Sequence, residues 1–395
     1  MRTIYFDYNA TTPLDPKVRE AMVPFLGEIW GNPSSVHHVG RRARALLDEA
    51  RERTAAVLRC KPSEVIFTSG GTESVNLAIF GAARLLKPKG RHIITSSIEH
   101  HAVLHSCQYL AKKEEFELTL LPVNSEGIVP VESLKQALRP DTVLVSVMAA
   151  NNEIGSIQPV AELGALCRER GVLFHTDAVQ WFGKAPFDNI HQFNADLVSL
   201  CAHKIHGPKG SGALFIRSPL HPDPVQFGGG HENERRAGTE NLAGIIGLVE
   251  ALERFVRQPV FAPEQLQPLT ARLIRLVDSL DGVQFTGSRQ ERLANTVSFT
   301  VRDADSIALL AGLDIEGICA SSGSACSAGS LEPSHVVRAL GVEPTLANSL
   351  VRFSLGREST AEEVSYVEEV LPRVIERARC AAGTKSRVLA PQPVQ

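Results

Sequence analysis

Between Val65 and Arg217 short β-rich runs alternate with helical stretches, and no other feature constrains the fold as strongly. The candidate strands are Val65–Thr68, His92–Ser96, Glu117–Leu121, Val143–Met148, Val172–Asp177, Leu197–Leu200 and Ala213–Arg217. Helical patterns fall between them at Glu73–Leu86, Ala102–Lys113, Val131–Leu138 and Ala161–Arg170. A helix between two strands is the natural crossover of a parallel pair. Several of the runs are nearly continuously apolar, as expected of strands covered on both faces. The pattern predicts an α/β fold with a mostly parallel, seven-stranded sheet.

Beyond Gly228–Gly230 the texture changes. Helical stretches at Asn241–Arg257 and Leu266–Leu280 flank a break at Gln258–Pro263. A strand at Asn295–Val301, a helix near Ser306–Leu313, a loop of small residues, a strand at Leu350–Leu355 and a last helix at Ala361–Ala382 follow. This reads as a smaller α+β domain. The expected division is a large domain over 15–257, a small domain from 1–14 and 258–382, and a disordered tail over 383–395. A chain of 395 residues, 43% hydrophobic and 22% charged, can build both cores. Its 41 basic and 44 acidic residues leave a net charge of −3, which argues against a nucleic-acid partner. No apolar run reaches the length of a membrane span, and Met1–Asp15 lacks the apolar stretch of a signal peptide, so the cytoplasm is the expected address.

The seven cysteines are scattered and none forms a C-x-x-C pair, so neither a metal cage of the chain's own nor a disulfide framework is expected. Chemistry is sought instead in five places. Lys204 follows the strand ending near Leu200, beside His203 in a loop rich in Gly and Pro, where a lysine can form a Schiff base. Asp177 closes the preceding strand, placed to pair with a pyridinium nitrogen. Ser69-Gly70-Gly71-Thr72 lies between a strand and a helix, and such a turn can hold a phosphate at the helix N-terminus. His100 follows another strand end, placed to stack on a ring and carry protons. Cys326 sits among small polar residues in Ala320–Ser330, a setting suited to an exposed, reactive thiol. Together the first three supply aldehyde, ring-nitrogen and phosphate partners for pyridoxal 5'-phosphate (PLP).

These pieces resemble the NifS/IscS-type cysteine desulfurases. The likeness runs from Tyr5–Thr12 to Val351–Arg357 and into the last helix. It rests on Gly31-Asn-Pro-Ser-Ser35, Glu99-His100, Asn151-Asn-Glu-Ile-Gly155, His175–Gln180, His203-Lys204, Arg235–Asn241 and Ser321-Ser-Gly-Ser-Ala-Cys326. The segment around Cys326 resembles the group with a long mobile cysteine loop, not the group with Arg-x-Gly-His-His-Cys. The resemblance implies an aspartate-aminotransferase-like fold, a homodimer, and conversion of L-cysteine to L-alanine with the sulfur held as a persulfide on Cys326. It implies that Lys204 binds PLP and Asp177 its ring nitrogen. Gln180 and Asn152 would bond the ring oxygen or edge, and His100 would stack on the ring. Gly71, Thr72, Cys201, His203 and Thr239 of the partner subunit would surround the phosphate. Asn32 and Arg352 would grip the substrate carboxylate. The acceptor would be an iron–sulfur scaffold or another sulfur-acceptor protein, with Cys326 at most a transient cluster ligand alongside that partner. Cys201 departs from the family's usual Ser, which implies a weaker phosphate grip.

Other readings of the same residues are an aminotransferase or a selenocysteine lyase within the PLP enzymes, and, from another class, an inactive scaffold for sulfur transfer. Transamination has no task for a nucleophilic thiol. A scaffold has none for Lys204, Asp177, His100 and Cys326 together.

Overall fold

The computed structural model describes residues 3–323 and 333–388. Among these, twelve strands occur in chain order: β1 Ile4–Tyr5, β2 Val65–Thr68, β3 His92–Ser96, β4 Glu117–Leu121, β5 Thr142–Ser146, β6 Leu173–Asp177, β7 Leu197–Cys201, β8 Gly212–Ile216, β9 Val283–Thr286, β10 Thr296–Val301, β11 Ile318–Cys319 and β12 Val351–Ser354. Strands β2 to β8 form one seven-stranded sheet in the order β2-β8-β7-β6-β5-β3-β4. Strand β8 runs antiparallel to both its neighbours, and the other pairs are parallel. The seven expected strands are the seven of this sheet, with ends shifted by one or two residues.

Alternation along each strand explains why the sheet is covered on both faces. Ile66, Ile93, Leu144, Leu197 and Leu214 point to one side, where they pack with Val75, Ile79, Val103 and Leu110. Those partners come from the helices Gly71–Leu86 and His101–Lys113. Phe67, Ile94, Val145, Val198 and Phe215 point to the other side, against the helices His38–Leu58, Val160–Glu169 and Leu242–Phe255. Polar residues inside the sheet are matched across strands. Ser146 Oγ and Ser199 Oγ bracket the two ring nitrogens of His175 at 2.8 and 3.0 Å. Burial pushes the pKa of His175 down to about 3, so the ring is neutral and donates to one serine while accepting from the other.

A second core lies around the antiparallel sheet β12-β10-β9 and the parallel pair β1-β11. It joins Ile4 and Phe6 to Phe261, Leu273, Phe299, Leu313, Phe353 and Val367. The N-terminal segment thus belongs to this core, and its Asp7 bridges to Ser354. Several elements were not expected, among them β1, β9, β11 and the helices Pro16–Met22 and His335–Ala339. The 21-residue helix His38–Leu58 was not expected, although Gly40, Ala43, Leu47, Ala50, Thr54 and Val57 form a buried stripe at helical spacing. The last helix continues to Val388, beyond the expected end at Ala382. No helix among the described residues is long and apolar enough to cross a membrane.

Phe174 is wholly buried on β6, three residues before Asp177. Phe174→Ala is expected to lower unfolding stability by about 3–5 kcal/mol in urea titrations; a loss below ~1 kcal/mol would show that this face does not close as described.

Candidate active site

All strands of the large sheet except β8 share one direction, so their carboxyl ends form one rim, the usual place for a ligand crevice in such sheets. The candidate residues sit on that rim. Asp177 ends β6 and Cys201 ends β7. Lys204 closes the single 3₁₀ turn Ala202–Lys204 that follows β7. His100 lies four residues beyond β3, and Gly71 opens the helix that follows β2. They enclose a cavity of about 210 Å³ whose wall includes Gly71, Thr72, His100, Asn152, Asp177, Gln180, Cys201, His203, Lys204 and Arg352. Thr239 lines an adjacent pocket with Thr68, Ser69 and Arg236. Asn32 is exposed, and its Oδ1 accepts from Ser34 N at 2.8 Å. Cys326 lies outside the described residues.

Lys204 Nζ donates to the backbone carbonyls of Asn9 at 2.8 Å and Ala10 at 2.6 Å. The Asp177 carboxyl is fully buried, which raises its pKa to about 6 against the opposing pull of Val179 N–H and the Lys204 charge. His100 caps the helix His101–Lys113 by accepting from Ala102 N at Nδ1, 3.1 Å away. That bond leaves Nε2 to carry the proton of the neutral ring. Burial and the nearby Lys204 push the His100 pKa down to about 4, so the ring is neutral at physiological pH. Burial raises the Cys201 thiol to about 11, which keeps it protonated and a poor nucleophile.

Arg352 is 1% exposed and held from two sides: its guanidinium donates to Asp7 Oδ1 at 2.6 Å and to Asn152 O at 2.8 Å. Among the described residues its Nε is buried with no acceptor, a fixed cation with a donor to spare for a carboxylate. The residues flanking 324–332 are tied to the same rim. Ser321 exchanges backbone hydrogen bonds with Arg352, Ser334 Oγ donates to Glu153 at 2.5 Å, and His335 Nε2 lies 2.9 Å from Glu99 O.

The wall also holds residues that sequence reasoning left aside: Asn9, Ala10, Ala102, Met148, Ala150 and Val179. Asn9 lies in the Tyr5–Thr12 motif, but nothing in its spacing announces a role. A PLP molecule fits these donors. A Cβ on Gly71 would stand 2.9 Å from Val179 Cγ2, so only glycine leaves the helix N-terminus open to a phosphate. Asp177 and Lys204 face the same space with the acid and amine such a ring needs.

Because Asp177 titrates above its ordinary value of 3.8, the ligand-free protein loses stability as pH rises from about 4 through about 6. Asp177→Asn is expected to make the ligand-free protein more stable by roughly 3 kcal/mol at pH 8 and to change nothing near pH 3.5. Thermal unfolding at both pH values checks this; equal gains at both would place the effect elsewhere.

Comparison with known proteins agrees with the geometry. The family model for class-V aminotransferases matches residues 4–367. The cysteine desulfurase IscS of Dictyoglomus turgidum is 49% identical over 385 residues, covering 97% of each chain. That of Methanosarcina thermophila is 45% identical, covering 96% of this chain and 93% of its own. Among solved structures, a NifS-like protein superimposes with a TM-score of 0.88 at 37% identity, over 95% of this chain and all of the other. A structure of SspA in complex with cysteine gives 0.79 at 35% identity, over 91% of this chain and all of the other. The chain belongs to the class-V aminotransferase family, among its cysteine desulfurases.

Proposed function

We propose that the chain converts L-cysteine to L-alanine with PLP, captures the sulfur as a persulfide on Cys326, and hands it to an acceptor protein. The observation that carries this reading is the convergence of Lys204, Asp177, His100 and Arg352 on one cavity. Bound PLP supplies an electron sink for bonds broken at the substrate's α-carbon.

The chain's own residues do the rest. Arg352, with Asn32, holds the substrate carboxylate and thereby orients the α-carbon. The buried Asp177 carboxylate stabilises a proton on a ring nitrogen set against it. Lys204 Nζ moves the α-proton, and His100, neutral with its proton on Nε2, stands beside it as a second carrier. Gly71, Thr72, Cys201 and His203 would hold the phosphate of PLP, joined in a homodimer by Thr239 of a second subunit. Asn152 and Gln180 hold the ring edge. The Cys326 thiolate then attacks the substrate sulfur. A sulfur–sulfur bond forms, and the pair of the broken carbon–sulfur bond stays with the carbon, which takes up a proton and leaves as alanine. A thiol other than Cys201 is needed for this step, because burial holds Cys201 in its unreactive form.

The proposed domain division, 15–257 against 1–14 with 258–382, is supported by the cores. One runs from Val18 to Val256, and the other joins Ile4 and Phe6 to residues from Phe261 onward. The proposed acceptor is an iron–sulfur scaffold, by likeness to the IscS relatives, and the proposed setting is the cytoplasm.

Single-turnover reaction with L-cysteine in the absence of reductant tests the reading. Wild type is expected to release about one alanine per active site and to carry one added sulfur on the peptide containing Cys326, with no such adduct in Cys326→Ala. Alanine without that adduct would move the sulfur chemistry to another group, and no alanine from PLP-loaded protein would remove the desulfurase reading. Cys201→Ser, which restores a stronger donor beside the phosphate, is expected to retain PLP about two- to fivefold better on dialysis; equal retention would show that backbone N–H groups carry the grip.

A further inference from the structure

One buried charge has no part in the chemistry above. Lys184 is 4% exposed, deep beneath the cavity floor. Its place is set by Gly183, whose φ of +72° turns the chain inward and whose missing Cβ would stand 2.6 Å from Ile205 Cγ2. Lys184 Nζ donates to Asn9 Oδ1 at 2.9 Å and to Gln180 Oε1. Among the described residues no carboxylate partners it in a hydrogen bond. The titratable groups that act on it are Lys204 and Arg352, which repel its charge, and Cys201 and Asp7, which favour it. Burial and the two cations hold its pKa well below that of an ordinary lysine. A buried lysine with two amide oxygens for partners is costly unless those two bonds have a task.

The task is legible in the amide of Gln180. Its two ends are nearly identical in shape, and their assignment follows from their partners. Asn9 O is a carbonyl and accepts from Gln180 Nε2 at 2.9 Å. Lys184 faces the other end as a donor, so that end must be Oε1. One N–H of Gln180 is therefore spent on Asn9 and its oxygen on Lys184, which leaves the second N–H for the cavity that Gln180 lines. The same lysine fixes the Asn9 side chain, whose own backbone carbonyl receives Lys204.

We propose that Lys184 is a positioning residue: it locks the Gln180 amide so that a donor, not an acceptor, faces the ring oxygen of bound PLP, and it anchors Asn9 beneath Lys204. The proposal rests on the PLP reading above and adds a residue that never touches the cofactor.

The test is a double-mutant cycle on the full chain with Lys184→Met, Gln180→Leu and both, measuring PLP affinity of the stripped protein and the pH titration of the bound cofactor's visible band. Lys184→Met is expected to weaken PLP binding about tenfold, the loss of one hydrogen bond to a charged oxygen. It is also expected to raise the apparent pKa of the visible band by about half a unit or more, since the ring oxygen becomes more basic without its donor. On the Gln180→Leu background Lys184→Met is expected to add less than about a twofold effect on either readout. A Lys184→Met band titration that overlays wild type, or effects of the two substitutions that multiply in full, would overturn the proposal and leave Lys184 a packing residue. Where Lys184→Met does not fold, Lys184→Gln enters the same cycle with the same requirement of non-additivity. Wild type run alongside separates the two readings. If it binds PLP and forms alanine while the cycle fails, only the role of Lys184 falls; if it binds no PLP, the proposed function falls with it.

Discussion

Two hydrophobic cores in this chain meet at one asparagine. Every polar group of Asn9 is spent. Its amide nitrogen donates to Asn152 O and Thr296 Oγ1, its Oδ1 accepts from Lys184 and Asn295, its N–H donates to Ser354 Oγ, and its carbonyl receives Gln180 and Lys204. Ser354, Asn295 and Thr296 lie on or beside strands of the small sheet, whereas Gln180, Lys184 and Lys204 follow strands of the large one. A buried amide with all its partners in place is rigid, because losing any bond leaves a desolvated group unpaired. The position of the cavity's lysine therefore depends on both cores being formed.

The large sheet was legible because each strand carries its own signature and each helix separates two of them. The pieces of the site were legible for the same reason: Asp177, His100, Gly71 and Lys204 sit at strand ends, and strand ends of a parallel sheet face one way. The helix His38–Leu58 was missed although its buried stripe is regular, because small residues such as Gly40, Ala43 and Ala50 give it little apolar contrast against many arginines. Asn9 and Lys184 were missed for a different reason. A buried polar residue is defined by partners far away in sequence, and neither Gly183-Lys184 nor Tyr8-Asn9 differs locally from a surface turn. The sequence offered Arg352 as a grip for a substrate carboxylate but not what holds it: Asp7 and Asn152 do, so its position is set before any ligand arrives.

In and around the cavity, burial moves titratable groups away from the values they have in water. Asp177 and Glu99 are pushed toward their protonated forms, to about 6 and about 8, by burial. Lys184 is pushed toward its neutral form, and His100 and His203 are neutral with pKa values near 4. Such an arrangement destabilises the ligand-free fold and is relieved when a ligand brings complementary charge and hydrogen bonds. The same groups that weaken the empty protein are those that give a bound molecule its orientation.

The N-terminal strand has a consequence for how the molecule comes into being. Ile4 and Tyr5 pair with Ile318 and Cys319, and Asp7 bridges to Ser354, so a segment made early in synthesis waits for partners made much later. At ordinary rates of synthesis that delay is on the order of half a minute. During it the large sheet has all its strands, yet Lys204 lacks the carbonyls of Asn9 and Ala10 in their final place. A nascent chain thus presents the amine without its cradle until Asp7 and Asn9 meet Ser354.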